Sequence, residues 1–278
     1  MEYRKLSNGV EIPVLGFGTW QTKDGETAVN AVKAAIESGY RHIDCAPVYQ
    51  NENSVGEGIK ASGIKREELF VTSKVWNEDR GRFRTIAACE RSLKDLGLDY
   101  FDLYLIHWPA SPKDYDCWEE LNRDTWRGMI DLYKMGKVRA IGVSNFYPHH
   151  LKSLLDMEVI PMVDQIEYHP GQTTPAVVQY CKGYGIAVEA YSPLGTGKVL
   201  QNETLQQIAE KYGKSVAQIT LRWELQNGII VIPKSTNPER IRQNLDVFDF
   251  VLNDEDMATI DALPFIGGSG HHPDTVRF

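Results

Sequence analysis

One pattern repeats along the whole chain: a short run of branched and aromatic apolar residues is followed by a longer amphipathic segment. The first pair consists of a strand predicted at 14–18 and a helix predicted at 24–38, with Asp24 as its N-cap and Gly39 as its C-cap. A strand that is apolar on both faces belongs in a sheet that is covered on both sides. Strands that alternate with helices therefore predict an α/β protein built around a parallel sheet.

The chain contains eight such strands, which is the number that closes a barrel. The predicted strands are 14–18, 41–44, 70–74, 103–107, 138–143, 162–166, 186–190 and 229–232. The predicted helices are 24–38, 52–61, 84–96, 118–135, 148–156, 174–182, 203–212, 216–226, 238–244 and 254–262. We therefore predict a (β/α)8 TIM barrel with extra C-terminal helices.

An N-terminal β-hairpin is predicted before the barrel, because Asn8 and Gly9 lie between two short runs of β-type residues. The alternative architecture is an open, doubly wound sheet, which normally has a GxGxxG turn after its first strand. Gln21 stands where the third glycine of that turn belongs, so the sequence favours the barrel. No linker rich in Gly, Pro or Ser interrupts residues 1–278, and a single domain is expected.

The composition of the chain argues against several classes of function. No apolar run approaches the roughly 18 residues that span a membrane. The basic residues are scattered in a chain of net charge −8, which argues against nucleic-acid binding. The four cysteines form no CxxC pair and no spacing such as HExxH occurs, so no metal site is predicted. Reduced thiols and an N-terminus without a signal peptide predict a cytoplasmic protein.

Polar residues stand at the ends of six of the predicted strands. Because all strands of a barrel end at one face, these side chains should converge on one cavity. Each of them alone has an ordinary structural explanation, such as a helix cap, a solvated lysine or a hydrogen-bonded core histidine. Their joint placement predicts an active site that includes Asp44, Lys74, His107, Ser144, Asn145, Gln165, Lys234 and Ser235.

Four side chains together suit acid–base chemistry, namely Asp44, Tyr49, Lys74 and His107. A free phenol titrates near pH ~10 and is a poor acid at neutral pH, but a nearby ammonium stabilises the phenolate. Lys74 can supply that cation, and Asp44 can supply the counter-charge that a buried ammonium needs. His107 can donate a hydrogen bond that orients a carbonyl group. The set suits protonation of a carbonyl oxygen while a hydride arrives at its carbon.

The segment after the eighth strand predicts an anion site. Asn237 is the predicted N-cap, and Pro238 occupies the first position of the helix that follows. A helix N-terminus binds anions through its free N–H groups and its dipole, and Lys234 and Arg240 would add full positive charges. Barrels commonly bind phosphate after their seventh and eighth strands. An ordinary capped helix with two surface cations is the alternative.

The chain resembles the aldo-keto reductases along essentially its whole length. The motifs that carry the resemblance are the Asn8-Gly9 hairpin, GFGTW at 16–20, GYRHID at 39–44, NE at 51–52, DLYLIHWP at 102–109, GVSNF at 142–146, QIEYHP at 165–170, AYSPLG at 190–195 and IPKS at 232–235. The short loops and the ending at 267–274 resemble the prokaryotic and protozoan branch of the family. That branch includes 2,5-diketo-D-gluconate reductases, glyoxal reductases and prostaglandin F synthases.

The resemblance implies a monomeric, NADPH-dependent reductase of small aldehydes and activated ketones. Tyr49 would be the proton donor, assisted by Lys74 and Asp44, while His107 would set the orientation of the carbonyl. The substrate pocket would be lined by three indole rings, those of Trp20, Trp76 and Trp108.

The resemblance also implies which residues bind NADPH. Tyr191 would stack on the nicotinamide ring, and its carboxamide would be held by Ser144, Asn145 and Gln165. The 2′-phosphate would be bound by Lys234, Ser235, Thr236 and Arg240, with Gln243 and Asn244 near the adenine. The complete implied set is Ser144, Asn145, Gln165, Tyr191, Ser192, Leu194, Lys234, Ser235, Thr236, Arg240, Gln243 and Asn244.

One residue departs from the family pattern, because Cys45 stands where threonine is usual, and it is expected to affect packing near Asp44. The tail at 265–278 is expected to fold over the mouth of the pocket. Two other functions stay open. A lysine at a strand end of a barrel can form a Schiff base, which would make the protein a lyase that uses Lys74. The same fold can also serve a non-enzymatic binding role.

Overall fold

A computed structural model describes all 278 residues of the chain. The chain begins with an antiparallel hairpin of β1 (Tyr3–Lys5) and β2 (Glu11–Pro13). Gly9 lies in the connecting turn with a φ of 90°, a left-handed conformation that glycine adopts without strain. The predicted N-terminal hairpin is therefore confirmed.

Eight parallel strands follow, and each pairs with the next one in chain order. They are β3 (Phe17–Gly18), β4 (His42–Asp44), β5 (Phe70–Val75), β6 (Phe101–Ile106), β7 (Val138–Ser144), β8 (Val163–Glu167), β9 (Ala187–Tyr191) and β10 (Ile230–Val231). The first and last strands also meet. Leu15 forms a parallel bridge with Val231, and the backbone N–H groups of Gly16 and Val231 donate across this seam over 2.8 and 2.9 Å. The sheet is thus a closed barrel, as predicted, and not an open sheet.

Helices cover the outside of the barrel. They are α1 (Glu26–Ser38), α2 (Glu52–Ser62), α3 (Arg82–Leu96), α4 (Trp118–Lys134), α5 (Pro148–Lys152), α6 (Pro175–Gly183), α7 (Glu203–Tyr212), α8 (Val216–Gln226), α9 (Pro238–Leu245) and α10 (Asp254–Asp261). None of these helices combines the length and the apolar character that crossing a membrane requires.

Three predicted helix boundaries are wrong by two residues or more, and one of them is the start of α3, which begins at Arg82 and not at residue 84. Helix α1 begins at Glu26 and not at Asp24, and the residue before it is Gly25, which has no side chain to cap it. The Asp24 carboxylate accepts a hydrogen bond from the Ser54 hydroxyl over 2.6 Å instead, and this hydroxyl accepts one from the Gly25 N–H. Helix α5 ends at Lys152, several residues before the predicted end, and turns follow it.

The interior of the barrel contains a polar layer. Side chains alternate between the two faces of a strand, so His42 points the same way as Asp44, and Thr72 the same way as Lys74. These four residues are buried, as are Gln165 of β8 and Glu189 of β9. The layers of a barrel interior are usually branched apolar residues. Burial of polar groups costs folding free energy, so a polar layer in this position indicates a functional site.

Candidate active site

The ammonium group of Lys74 is the centre of the site. Its Nζ lies 2.7 Å from each carboxylate oxygen of Asp44, 3.1 Å from the backbone oxygen of Cys45 and 3.2 Å from the hydroxyl of Tyr49. Lys74 and Asp44 sit at adjacent strands, β5 and β4, while Tyr49 ends a short 3-10 turn (Pro47–Tyr49) just beyond β4. Three of the four predicted acid–base residues therefore form one hydrogen-bonded group.

Burial and charge act in opposite directions on this group. Burial lowers the pKa of Lys74, but Asp44 and Tyr49 together raise it by more. The net pKa therefore lies above the usual lysine value, and the group is an ammonium. Burial raises the pKa of Tyr49 to about 12, although Lys74 pulls it down. Lys74 lowers the pKa of Tyr49, as expected, but burial raises this pKa by more. At neutral pH the phenol keeps its proton and can donate it.

His107 completes the predicted set. Its ring centroid lies 5.8 Å from that of Tyr49 and 5.1 Å from that of Trp76, edge-on in both cases. Burial, and then the positive charge of Lys74, holds the pKa of His107 well below its usual value, so the imidazole is neutral. Its Nδ1 has no hydrogen-bond partner within the protein. A neutral imidazole in this position can donate one hydrogen bond to a carbonyl group.

A chain of side-chain hydrogen bonds follows the rim from β7 to β9. The Tyr191 hydroxyl donates to the Asn145 amide oxygen over 2.8 Å, and the Asn145 amide nitrogen donates to the backbone oxygen of His107 over 3.0 Å. The Ser144 hydroxyl donates to the backbone oxygen of Gln165 over 2.8 Å. Asn145 has a φ of 65°, a left-handed conformation that asparagine tolerates better than most residues. These contacts fix the predicted nicotinamide-binding residues in one arrangement.

Gln165 makes contacts that the sequence did not predict. Its Nε2 lies 2.9 Å from the Asp44 carboxylate and 2.6 Å from the carboxyl group of Glu189. Glu189 was missed, although a signal was available: it is the one charged residue within the apolar strand β9. A charged residue in the middle of a buried strand must face polar partners in the barrel interior.

Cys45 points away from the cavity. Its thiol donates to the backbone oxygen of Thr72 over 3.2 Å and lies 3.7 Å from the Glu52 carboxyl group. Burial, followed by the charges of Glu52 and Asp44, raises the pKa of this thiol well above its usual value. Cys45 is therefore a packing residue behind Asp44, as expected.

The predicted anion site lies at the start of α9. Asn237 caps the helix, and its side-chain oxygen accepts from the N–H groups of Glu239 and Arg240 over 2.9 and 3.1 Å. Pro238 has no N–H group. The expectation that free N–H groups of this helix bind an anion is therefore wrong, because the cap already uses them.

The side chains around this helix remain suitable for an anion. Lys234 and Arg240 form no salt bridge within the protein. Burial, and then the positive charge of Arg240, lowers the pKa of Lys234. Two cations that repel each other and have no carboxylate partner form a favourable place for a phosphate group.

One cavity of about 870 Å³ connects the two ends of the site. Every predicted site residue except Lys74, which is fully buried, lines it. This volume lies in the upper part of the range of roughly 300–1,000 Å³ that is typical of ligand pockets, and both Tyr49 and Arg240 line the cavity. Further lining residues that the sequence did not reveal come from the segment after β9, the start of α8 and the C-terminal tail: Thr196, Gly197, Leu200, Ser215, Val216, Ala217, Ser269, His271 and Phe278.

Aromatic rings form the wall above Tyr49. The predicted Trp20, Trp76 and Trp108 all line the cavity. The last residue, Phe278, stacks on Trp76 with ring centroids 5.7 Å apart and packs edge-on against Trp108 at 5.2 Å. The tail therefore folds over the mouth of the pocket, as expected.

A histidine cluster anchors this tail to α5. Nε2 of His149 and Nε2 of His150 lie 2.9 and 3.0 Å from the same carboxylate oxygen of Asp274. Nδ1 of His150 accepts a hydrogen bond from the Tyr147 N–H, so its Nε2 carries the proton and donates to Asp274. Although three possible metal ligands lie close together, the proton on His150 fits a hydrogen-bonded anchor and not a metal ligand.

Known proteins with similar sequences decide the family. The model of the aldo/keto reductase family matches residues 14–264. The chain belongs to the aldo-keto reductase family. It is 55% identical over 275 residues to the glyoxal reductase of Bacillus subtilis (strain 168), a match that covers 99% of this chain and 97% of that protein.

Two further similar proteins agree with this assignment. The chain is 50% identical over 273 residues to the 9,11-endoperoxide prostaglandin H2 reductase of Trypanosoma cruzi (strain CL Brener), covering 97% of this chain and 94% of that protein. The crystal structure of a Bombyx mori aldo-keto reductase in complex with NADP is 43% identical, with a TM-score of 0.86 and coverage of 94% and 92%. The family, its branch and the barrel fold predicted from the sequence are confirmed.

Proposed function

We propose that this aldo-keto reductase uses NADPH to reduce aldehydes and activated ketones to alcohols. The observation that carries the proposal is the hydroxyl of Tyr49, which lies 3.2 Å from the Lys74 ammonium at one end of the cavity. The unpaired cations Lys234 and Arg240 lie at the other end. One cavity therefore joins a proton donor to a phosphate-binding end, as a nicotinamide-dependent reductase requires.

The residues of the chain would handle the proton. Tyr49 donates its hydroxyl proton to the carbonyl oxygen, and the Lys74 ammonium stabilises the phenolate that remains. Asp44 keeps the fully buried Lys74 charged. His107 is neutral and can donate a hydrogen bond that holds the carbonyl oxygen near Tyr49. NADPH, when bound, supplies the hydride.

The donor set of the cavity fits NADPH. Lys234 and Arg240 can bind the 2′-phosphate with charge-assisted hydrogen bonds, together with the hydroxyls of Ser235 and Thr236. Gln243 and Asn244 line the same end and can contact the adenine. At the opposite end, Tyr191 offers a ring for stacking, and the cavity is also lined by Ser144, Asn145, Gln165, Ser192 and Leu194. NADP is bound in the Bombyx mori relative, which supports the same cofactor here.

The geometry disfavours the lyase alternative. A Schiff base forms from a neutral amine with a free lone pair. Lys74 is instead a fully buried ammonium that donates to Asp44, to Cys45 and to Tyr49. Borohydride should therefore fail to trap a substrate on Lys74. The presence of all four acid–base groups also supports catalysis over a role limited to binding.

We infer that the substrates are small carbonyl compounds, including dicarbonyls, because the similar Bacillus subtilis protein is a glyoxal reductase. The indole rings of Trp20, Trp76 and Trp108 offer an apolar wall with few charges, which selects by shape. Discrimination between similar apolar groups in such a pocket is only about 1–3 kcal/mol. Broad specificity follows.

The decisive experiment follows the loss of NADPH absorbance with a panel of carbonyls, including methylglyoxal, an aromatic aldehyde and a diketo sugar. We expect turnover with several of them and little with NADH. The same panel with Tyr49→Phe measures the background. A protein that binds NADPH but reduces none of the panel would contradict the proposal. One compound that outpaces all others by several orders of magnitude would contradict the broad specificity.

We further propose that the protein acts as a single-domain monomer in the cytoplasm. A single core cluster of 61 buried residues supports one domain, and four unpaired cysteines support the location. A net charge of −8 argues against nucleic acid as a partner. Light scattering after size exclusion should give a mass near 31.5 kDa. A mass twice as large would show a dimer.

A further inference from the structure

Glu189 belongs to the polar layer beneath the cavity but has no role in the reaction described so far. It is fully buried on β9 and lies opposite Gln165 of β8 in the register of the sheet. A buried carboxyl group destabilises a fold unless it is bonded. The hydrogen bonds of Glu189 therefore indicate which interactions offset the cost of burying its carboxyl group.

These contacts fix the orientation of the Gln165 amide. A single atom of that amide lies within hydrogen-bond distance of Asp44, at 2.9 Å, and of Glu189, at 2.6 Å. Because Asp44 is the counter-ion of Lys74 and can only accept, this atom must be the NH2 nitrogen. Both of its hydrogens are then used. Gln165 lines the cavity, and it can offer a ligand there only its acceptor oxygen.

The second oxygen of Glu189 faces another atom without a partner. Glu189 Oε1 and His42 Nδ1 both lack a hydrogen bond and lie 3.7 Å apart. The other ring nitrogen of His42 lies 3.1 Å from the Thr72 hydroxyl. Burial lowers the pKa of His42 to about 3, so its ring is neutral. A proton on Oε1 of Glu189 would leave the other carboxyl oxygen to accept from Gln165.

We propose that Glu189 is a positioning residue of this reductase, which holds the amide of Gln165 so that it supports Asp44 and turns only its oxygen to the nicotinamide end of the cavity. The inference rests on the proposed function. Glu189 does not line the cavity, so it acts through Gln165 and Asp44 and not on the substrate. Asp44 in turn holds the Lys74 ammonium against Tyr49.

The charge state of Glu189 should affect the acid. The charged and titratable groups around its carboxyl are His42 and Asp44 of β4 and Lys74 of β5. With Glu189 protonated, the layer contains one anion and one cation, and they balance. With Glu189 ionised, a second anion lies near Asp44 and makes the Tyr49 phenolate harder to form. Burial, followed by the charge of Asp44, raises the pKa of Glu189 to about 8, within reach of a kinetic experiment.

The test compares Glu189→Gln and Glu189→Leu with the unchanged protein. Glutamine keeps an acceptor for Gln165 but cannot ionise, and leucine removes the acceptor. At pH ~6, Glu189→Gln should keep its turnover number, whereas Glu189→Leu should lose about tenfold in turnover and in NADPH affinity, the effect of about one hydrogen bond. The turnover of the unchanged protein with methylglyoxal should fall as the pH rises through about 8. In Glu189→Gln this fall should be absent.

Glu224→Gln is the matched control. Glu224 is also fully buried and burial raises its pKa, but it lies on α8 and its carboxyl oxygens bond to no residue, and so not to Gln165 or Asp44. Its replacement should change neither the pH profile nor the NADPH affinity, which is measured by fluorescence titration. A change equal to that of Glu189→Gln would show a general effect of buried acids and overturn the proposal.

Two outcomes separate this inference from the proposed function. If the protein binds NADPH but reduces no carbonyl, the proposed function fails, and the NADPH affinity of Glu189→Leu still decides the role of Glu189. If carbonyls are reduced but Glu189→Gln has the pH profile of the unchanged protein and Glu189→Leu binds NADPH equally well, the role of Glu189 is refuted. If Glu189→Leu does not fold, the pH profile of Glu189→Gln alone decides.

Discussion

The ring of Phe278, the last residue of the chain, stacks on the indole of Trp76 with ring centroids 5.7 Å apart and an interplanar angle of 21°. Two residues separated by most of the sequence thus form one wall of the substrate pocket. The tail that ends in Phe278 is joined to α5 through Asp274. Its contribution to the pocket therefore depends on a few contacts that can be removed one at a time.

We expect Phe278→Ala to change the relative rates across a carbonyl panel and to leave NADPH binding nearly unchanged. The substitution opens the pocket beside Trp76 and Trp108 but lies away from the phosphate end. Phe265→Ala is the control, because Phe265 begins the tail and is 65% exposed. Relative rates that shift equally in both variants would mean that the stacking contact does not set selectivity.

Tyr49→Phe should nearly abolish reduction and preserve NADPH affinity. The variant keeps the ring and loses only the hydroxyl that contacts Lys74. General acid catalysis contributes roughly 10²–10⁴-fold to a rate, and a loss of this size is expected in turnover number. The measurement is steady-state oxidation of NADPH with saturating aldehyde. A turnover number close to that of the unchanged protein would require another acid.

Arg240→Ala should weaken NADPH binding and barely affect NADH. Arg240 has no carboxylate partner and repels Lys234, so its removal costs only the contact with the phosphate. Because the contact is between exposed charges, the difference should shrink at high salt. Arg242→Ala is the control on the same helix, since Arg242 does not line the cavity. Equal losses for both cofactors would exclude a phosphate contact.

Lys74→Met should destabilise the protein as well as inactivate it. The substitution leaves the buried Asp44 carboxylate without its cation, which typically costs about 3–5 kcal/mol. The double variant Lys74→Met with Asp44→Asn removes both charges and should recover part of the free energy of unfolding. Urea denaturation measures the free energy of unfolding of the unchanged protein, of Lys74→Met and of the double variant. If the double variant is no more stable than Lys74→Met, the ion pair is not the source of the loss.

Glu189→Gln should also flatten the dependence of stability on pH. Folding raises the pKa of Glu189 from 4.5 to about 8, through burial and then Asp44. The folded state thus retains a proton that the unfolded state releases, and this contribution to stability is complete below pH 4.5 and is lost as the pH rises to about 8. The unchanged protein should therefore lose more free energy of unfolding across this window than Glu189→Gln. If both proteins lose the same free energy of unfolding across this window, the raised pKa belongs to a residue other than Glu189.

The local pattern of the sequence determined the fold and most of the site. The alternation of apolar strands with amphipathic helices gave the order of the elements, and the parallel strands then had to end at one face. Asp44, Lys74 and His107 could be predicted because each stands at the C-terminal end of a predicted strand. The helix start at Asn237 and Pro238, with Lys234 and Arg240 beside it, predicted a phosphate site after the eighth strand.

Only the tertiary structure shows the features that depend on residues far apart in the sequence. Closure of the barrel required the contact between Leu15 and Val231. The pKa of Tyr49 depends on the balance between burial and the charge of Lys74, which the sequence could not give. The packing of Phe278 on Trp76 and the pairing of Gln165 with Glu189 join segments that are distant in the sequence. Hydrophobic periodicity does not reveal such contacts. Periodicity shows which face of an element is buried, whereas only packing decides which residue it meets.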